Sequence, residues 1–101
     1  PGAMEASLAY DVAGKSVNLT LTNKGERPAD LHVESTLYAG VEPWAVQIGA
    51  NQSQTKSWPV GATGNWYDLR VTAPNAPGYE RHFGGRMETG EPATSDPAMG
   101  A

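Results

Sequence analysis

The chain has 101 residues, no cysteine and a formal net charge of −4, which suits one module and excludes a disulfide framework or a thiolate metal site. Its 7 basic residues are scattered, a poor basis for binding nucleic acid or anionic lipid, and no apolar run reaches the length of a membrane helix. With 12 glycines and 8 prolines the composition favours many short strands, so the expected fold class is all-β.

Pro1-Gly2-Ala3-Met4 looks like an expression-tag remnant, so residues 1–4 are set aside and the module is taken to begin at Glu5. No basic-then-apolar leader opens the chain. A first strand is expected from Ser7 to Val12, with Leu8, Tyr10 and Val12 on one face; Ala13-Gly14-Lys15 then turns into a second from Ser16 to Thr22. There Val17, Leu19 and Leu21 alternate with Asn18, Thr20 and Thr22, the period-two pattern of a strand with one buried and one wet face. Asn23-Lys24-Gly25 and Arg27-Pro28 break the pattern before a third strand near Asp30, in which Leu31, Val33 and Leu37 are candidates for the interior. Glu42-Pro43 precedes a short fourth strand, Trp44 to Ile48. The polar run from Gln52 to Trp58, closed by Pro59, has the character of a sheet edge.

In the sixth strand Tyr67, Leu69 and Val71 point inward and Trp66, Asp68, Arg70 and Thr72 outward. Tyr67 is a candidate structural corner, a tyrosine whose ring packs inside a sandwich while its hydroxyl bonds back to the corner backbone. After the Ala73-Pro74-Asn75-Ala76-Pro77-Gly78 loop, a seventh strand is expected from Tyr79 to Phe83, with Gly84-Gly85 allowing a bulge or bend. Residues 5–90 thus form the module, and residues 91–101 read as a tail without apolar periodicity. Seven antiparallel strands at this spacing predict a β-sandwich, immunoglobulin- or fibronectin type III-like, with a small closed barrel as the rival.

Catalytic chemistry finds little support. His32 and His82 are the only histidines, without the spacing of a zinc site, and no Gly-x-Ser-x-Gly elbow is present. Asp68 and Glu80 could face each other across neighbouring strands as an acid/base pair, although surface charge near Arg70 and His82 is the simpler reading. No catalytic residue, metal or cofactor is expected. The aromatic residues are more suggestive, because Trp44, Trp58 and Trp66 cannot all be central in so small a core and an outward tryptophan can receive a sugar, a lipid headgroup or another domain. Trp44, Trp66 and Arg70 are therefore the candidate contact surface. For Trp66 the plainer alternative is packing under the Pro74 loop or stacking on Arg70.

Trp66-Tyr67-Asp68-Leu69, Phe83-Gly84-Gly85-Arg86, Glu88-Thr89-Gly90 and Ser95-Asp96-Pro97-Ala98-Met99 together carry a resemblance. From about Leu19 onward the chain resembles the C-terminal module of bacterial phosphocholine-preferring phospholipases C. That resemblance implies a parent exported through a twin-arginine signal, secreted or periplasmic, and acting on phosphatidylcholine-type lipids. It also implies an upstream catalytic domain and a sister β-module as partners, and assigns no catalytic residue to these positions. The expected role is a non-catalytic accessory domain docking on and stabilising the catalytic domain. The alternative is a targeting module that binds a phospholipid surface or carbohydrate through exposed aromatics.

Overall fold

The structure, a computed structural model, describes residues 3–90 and 96–100. Seven strands follow one another in it: β1 (Met4–Asp11), β2 (Ser16–Asn23), β3 (Ala29–Glu34), β4 (Trp44–Ile48), β5 (Gln52–Pro59), β6 (Trp66–Thr72) and β7 (Glu80–Arg86). A 3-10 turn at Gly61–Thr63 precedes β6, and one helical turn, α1, spans Pro97–Gly100. All strand pairs are antiparallel, in a three-stranded sheet of order β1-β2-β5 and a four-stranded sheet of order β4-β3-β6-β7. The fold is all-β in two antiparallel sheets.

The alternation of β2 fixes the centre of the smaller sheet. Val17, Leu19, Leu21 and Asn23 are buried, and the residues between them face outward. Leu31 and Val33 of β3, Ile48 of β4 and Leu69 and Val71 of β6 complete the core from the larger sheet, with Trp58, Val60, Tyr79 and Met87 closing its margins. β5 lies at an edge, as its polar run and Pro59 suggest, yet it turns Trp58 inward, where the indole N–H donates to the Glu42 carbonyl at 2.7 Å.

The ladders define two poles. Met4 opposes Asn23, Asn23 opposes Gln52, and Thr72 opposes Glu80, so the start of β1 lies with the β2–β3 loop, the β4–β5 turn and the β6–β7 loop. The Asn23 amide ties this pole together across the sheets, donating to Ile48 O at 3.0 Å and to Arg27 O at 2.7 Å. The opposite pole holds the β1–β2 turn, the β3–β4 loop (35–43), the 3-10 turn and the residues after β7.

Several boundaries differ from the sequence reading. Met4, assigned to the remnant, opens β1 and packs half-buried against the core, while the strand stops at Asp11, short of the expected Val12, and both Tyr10 and Val12 are 45% exposed. Leu37 is 56% exposed in the β3–β4 loop, and its neighbour Tyr38 takes the buried position. β7 runs unbroken through Gly84 and Gly85, paired with Asp68 and Tyr67, where a bulge was conceivable. Of the expected tail, residues 91–95 and 101 lie outside the described residues, as do Pro1 and Gly2 of the remnant.

Candidate functional site

The stretches that carry the family resemblance are distant in sequence but meet at the second pole. Trp66, Tyr67 and Asp68 of β6 line an open cleft of about 340 Å³ together with His82, Gly84 and Gly85 of β7. Leu37 and Tyr38 of the β3–β4 loop form one wall, and Asp96 another.

Asp68 is the organising residue. Its side chain is only 2% exposed although it projects from the outer face of β6, because the β3–β4 loop folds over it. Oδ2 accepts from Thr36 N at 2.8 Å, from the Thr36 hydroxyl at 3.1 Å and from Leu37 N at 3.3 Å, and Oδ1 accepts from His82 Nε2. Burial pushes the carboxyl up, but the bonds from His82 and Thr36 outweigh it and hold the group below the usual aspartate range. The backbone of β7 makes room for this arrangement. A Cβ on Gly84 would make ordinary contact with His82 Cε1 at 3.4 Å, so the position opposite Asp68 leaves the imidazole space to lie over toward the carboxylate.

Gly85 performs the same service on the inner face. A Cβ there would meet the Tyr67 hydroxyl at 3.2 Å and Cζ at 3.6 Å, so its absence admits the tyrosine ring. The Tyr67 hydroxyl bonds that of Tyr10 at 2.7 Å, with the rings edge to face at 5.8 Å. This partner lies in the other sheet, whereas the sequence reading expects the corner backbone; Tyr10, at the open end of β1, lies within reach of the ring. Burial and the bond to Tyr10 raise the Tyr67 hydroxyl well above the ordinary range. Tyr38 donates to Asp96 Oδ1 at 2.7 Å, and burial followed by that carboxylate pushes its hydroxyl up to about 12.

The sequence-designated contact residues are not brought together. Trp44 is half-buried and packs edge to face on Trp58 at 6.1 Å, so it serves the core rather than an outer platform. Trp66 is half-buried at the cleft, and Arg70 shares its strand face with Asp68 between them, four residues or roughly 13 Å away along the strand. Arg70 pairs with Glu80 at 3.0 Å, both about half exposed, a contact of small energetic weight. Asp68 therefore faces His82 and the loop, not Glu80, and is no solvated surface charge. A signal for it was available, since aspartate is depleted in strand interiors and one placed there asks for buried donors.

The Asp68–His82 pair superficially resembles catalytic machinery. Here the carboxylate is already occupied by three donors from the loop, and the Thr36 hydroxyl donates to Asp68 rather than being held by the imidazole as a nucleophile. The arrangement anchors a loop. Among the described residues no group of three or more His, Cys, Asp or Glu could hold a metal ion, and no helix is long and apolar enough to cross a membrane.

Comparison with known proteins adds the context. Residues 4–86 match the family described as the C-terminal domain of bacterial phospholipase C. The chain belongs to this family. It is 33% identical over 96 residues to a non-hemolytic phospholipase C of Pseudomonas aeruginosa, covering 95% of this chain and 14% of that protein. It is 37% identical over 97 residues to the non-hemolytic phospholipase C of Burkholderia pseudomallei, covering 94% of this chain and 13% of the relative. A hemolytic phospholipase C of Pseudomonas aeruginosa is 32% identical over 97 residues, again covering 94% of this chain and 13% of the relative. The phospholipase C C-terminal domain thus spans 13–14% of the curated relatives it matches.

Proposed function

We propose that this chain is the non-catalytic C-terminal accessory domain of a secreted bacterial phospholipase C acting on phosphatidylcholine-type lipids, and that it docks on and stabilises the catalytic domain. The observation that carries the reading is the pairing of a match over residues 4–86 with coverage of only 13–14% of phospholipase C relatives. The chemistry of the site supports it, because the Asp68–His82 pair is committed to holding the β3–β4 loop. We further infer a fibronectin type III-like sandwich. β4 pairs with β3 rather than β5, whereas the constant immunoglobulin arrangement places its fourth strand beside the fifth.

The test uses the full-length parent, the parent truncated before Glu5, and the isolated module. Docking predicts no phosphatidylcholine hydrolysis by the isolated module and a lower thermal midpoint for the catalytic domain once truncated. The alternative of surface targeting predicts robust, salt-insensitive co-sedimentation of the isolated module with neutral phosphatidylcholine vesicles, while the catalytic domain's thermal midpoint is unaffected by truncation. Turnover by the isolated module would overturn the non-catalytic assignment.

A further inference from the structure

The pole at the start of β1 contains a cleft of about 200 Å³ lined by Met4, Pro28, Ala29, Ala73, Ala76 and Tyr79. Its walls are largely small and apolar, and its volume suits one branched or aromatic side chain, since an apolar cavity of about 150 Å³ accepts a benzene-sized group. Asp30 and Asn75 stand on its polar rim, bonded to each other through Asn75 Nδ2 and Asp30 Oδ2 at 3.0 Å.

The Tyr79 side chain forms part of the wall of this cleft. Tyr79 is 6% exposed, its ring covered by the Arg81 guanidinium 4.7 Å from the centroid. Its buried hydroxyl has no hydrogen-bond partner among the described residues. A phenol left so typically costs about 1–3 kcal/mol relative to one that is satisfied. The loop that carries it is firmly built, with Ala76 N bonding Ala73 O and Tyr79 N bonding Ala76 O, each at 3.0 Å. The ring is therefore held in the cleft wall, with its hydroxyl shut off from solvent and unpartnered among the described residues.

We propose that this cleft receives the module that immediately precedes this domain in the parent chain, one apolar side chain filling the cavity and packing on the Tyr79 ring. This rests on the accessory-domain reading above. Three observations choose that occupant. The family is a C-terminal domain covering 13–14% of its relatives, so nearly all of a relative's length precedes the matched segment. The first residue of β1 itself lines the cleft, so a module preceding β1 would emerge at its mouth. The opposite pole, although it has an open cleft of its own, lies at the far end of β1 from the point where a preceding module would enter. A neighbouring module tethered at the mouth has a high effective concentration, and a modest apolar contact suffices to hold it.

The experiment compares the full-length parent carrying Ala76→Arg, Tyr79→Phe or, as the control at the other pole, Leu37→Arg, with limited proteolysis of the linker before Glu5 as readout. Ala76→Arg should raise linker cleavage by about tenfold or more, with Tyr79→Phe, which keeps the ring, and Leu37→Arg unchanged. In the isolated 101-residue chain Tyr79→Phe should raise the unfolding midpoint, because it removes an unsatisfied group. If Ala76→Arg disturbs the fold by circular dichroism, Pro28→Arg on the exposed rim takes its place. Release by Leu37→Arg and not by the cleft variants would overturn this surface while leaving docking intact. Unchanged cleavage in all three would overturn it as well, and the parent truncated before Glu5 then tells whether docking itself fails.

Discussion

At the pole of the β3–β4 loop, Tyr38 is 8% exposed and its hydroxyl reaches Asp96 at 2.7 Å; at the β1 pole Tyr79 is 6% exposed and its hydroxyl reaches nothing among the described residues. Two tyrosines of equal burial thus have opposite fates. The first pole brings its own partners, with Asp68 gathering loop amides, a hydroxyl and an imidazole, and with the Trp58 indole capped by the Glu42 carbonyl. The second leaves an apolar cavity with the Tyr79 ring in its wall. The contrast teaches that two tyrosines of similar burial in one small sandwich can differ in whether the chain itself supplies the hydroxyl's partner.

The comparison is broken most directly at Asp68. Asp68→Ala leaves two loop amides and an imidazole without their acceptor, and should cost about 3 kcal/mol in chemical denaturation, with faster hydrogen exchange across residues 35–43. A loss below about 1 kcal/mol would mean that this pole is not held as described. Because the folded carboxyl lies below its unfolded value, its contribution is complete above an unfolded range near pH ~4 and disappears as pH falls through the lower folded value. Asp68→Asn should remove that part of the acid dependence, measurable as a flatter stability profile below about pH 4.

Gly85→Val comes next. The new side chain would displace the Tyr67 ring and break the hydroxyl contact with Tyr10, for an expected loss of about 2 kcal/mol in thermal unfolding. Tyr38→Phe should cost about 1 kcal/mol by losing the bond to Asp96, the reverse of the sign expected for Tyr79→Phe in the isolated chain. Those two substitutions measured side by side sharpen the contrast most cleanly. Ultraviolet titration should also show Tyr38 ionising near pH 12, its contribution to stability present below the unfolded value of pH ~10 and lost as pH rises through the folded one. The smallest effect is expected for Gly84→Ala, under about 0.5 kcal/mol, since the His82 ring edge need move only slightly.

Much of this architecture is legible in the sequence. The alternation of Val17, Leu19 and Leu21, the bounds of Trp44–Ile48 and the edge character of the fifth strand follow from side-chain period and proline chemistry alone. What escapes is decided by contacts distant in sequence. Asp68 reads as surface charge until the β3–β4 loop is seen to fold over it, and Leu37 reads as core because strand periodicity says nothing about where the strand has ended. That Trp44 does not share a face with Trp66 and Arg70 escapes for a related reason, since whether an aromatic faces core or solvent depends on which sheet lies behind it. The apolar cleft beside Tyr79 joins two loops and a strand start, so no single window of sequence contains it.

Gly84 and Gly85 face opposite sides of β7 and are constrained unequally: a Cβ at 84 would make ordinary contact with the His82 ring at 3.4 Å, whereas one at 85 would crowd the Tyr67 hydroxyl at 3.2 Å. Divergence within the family should therefore uncouple the two positions. Position 84 can gain a methyl with His82 still in place, whereas position 85 can do so only where position 67 gives up its phenol. Two adjacent glycines that read as one motif are thus held by unequal constraints, loose on the outer face and tight against the core.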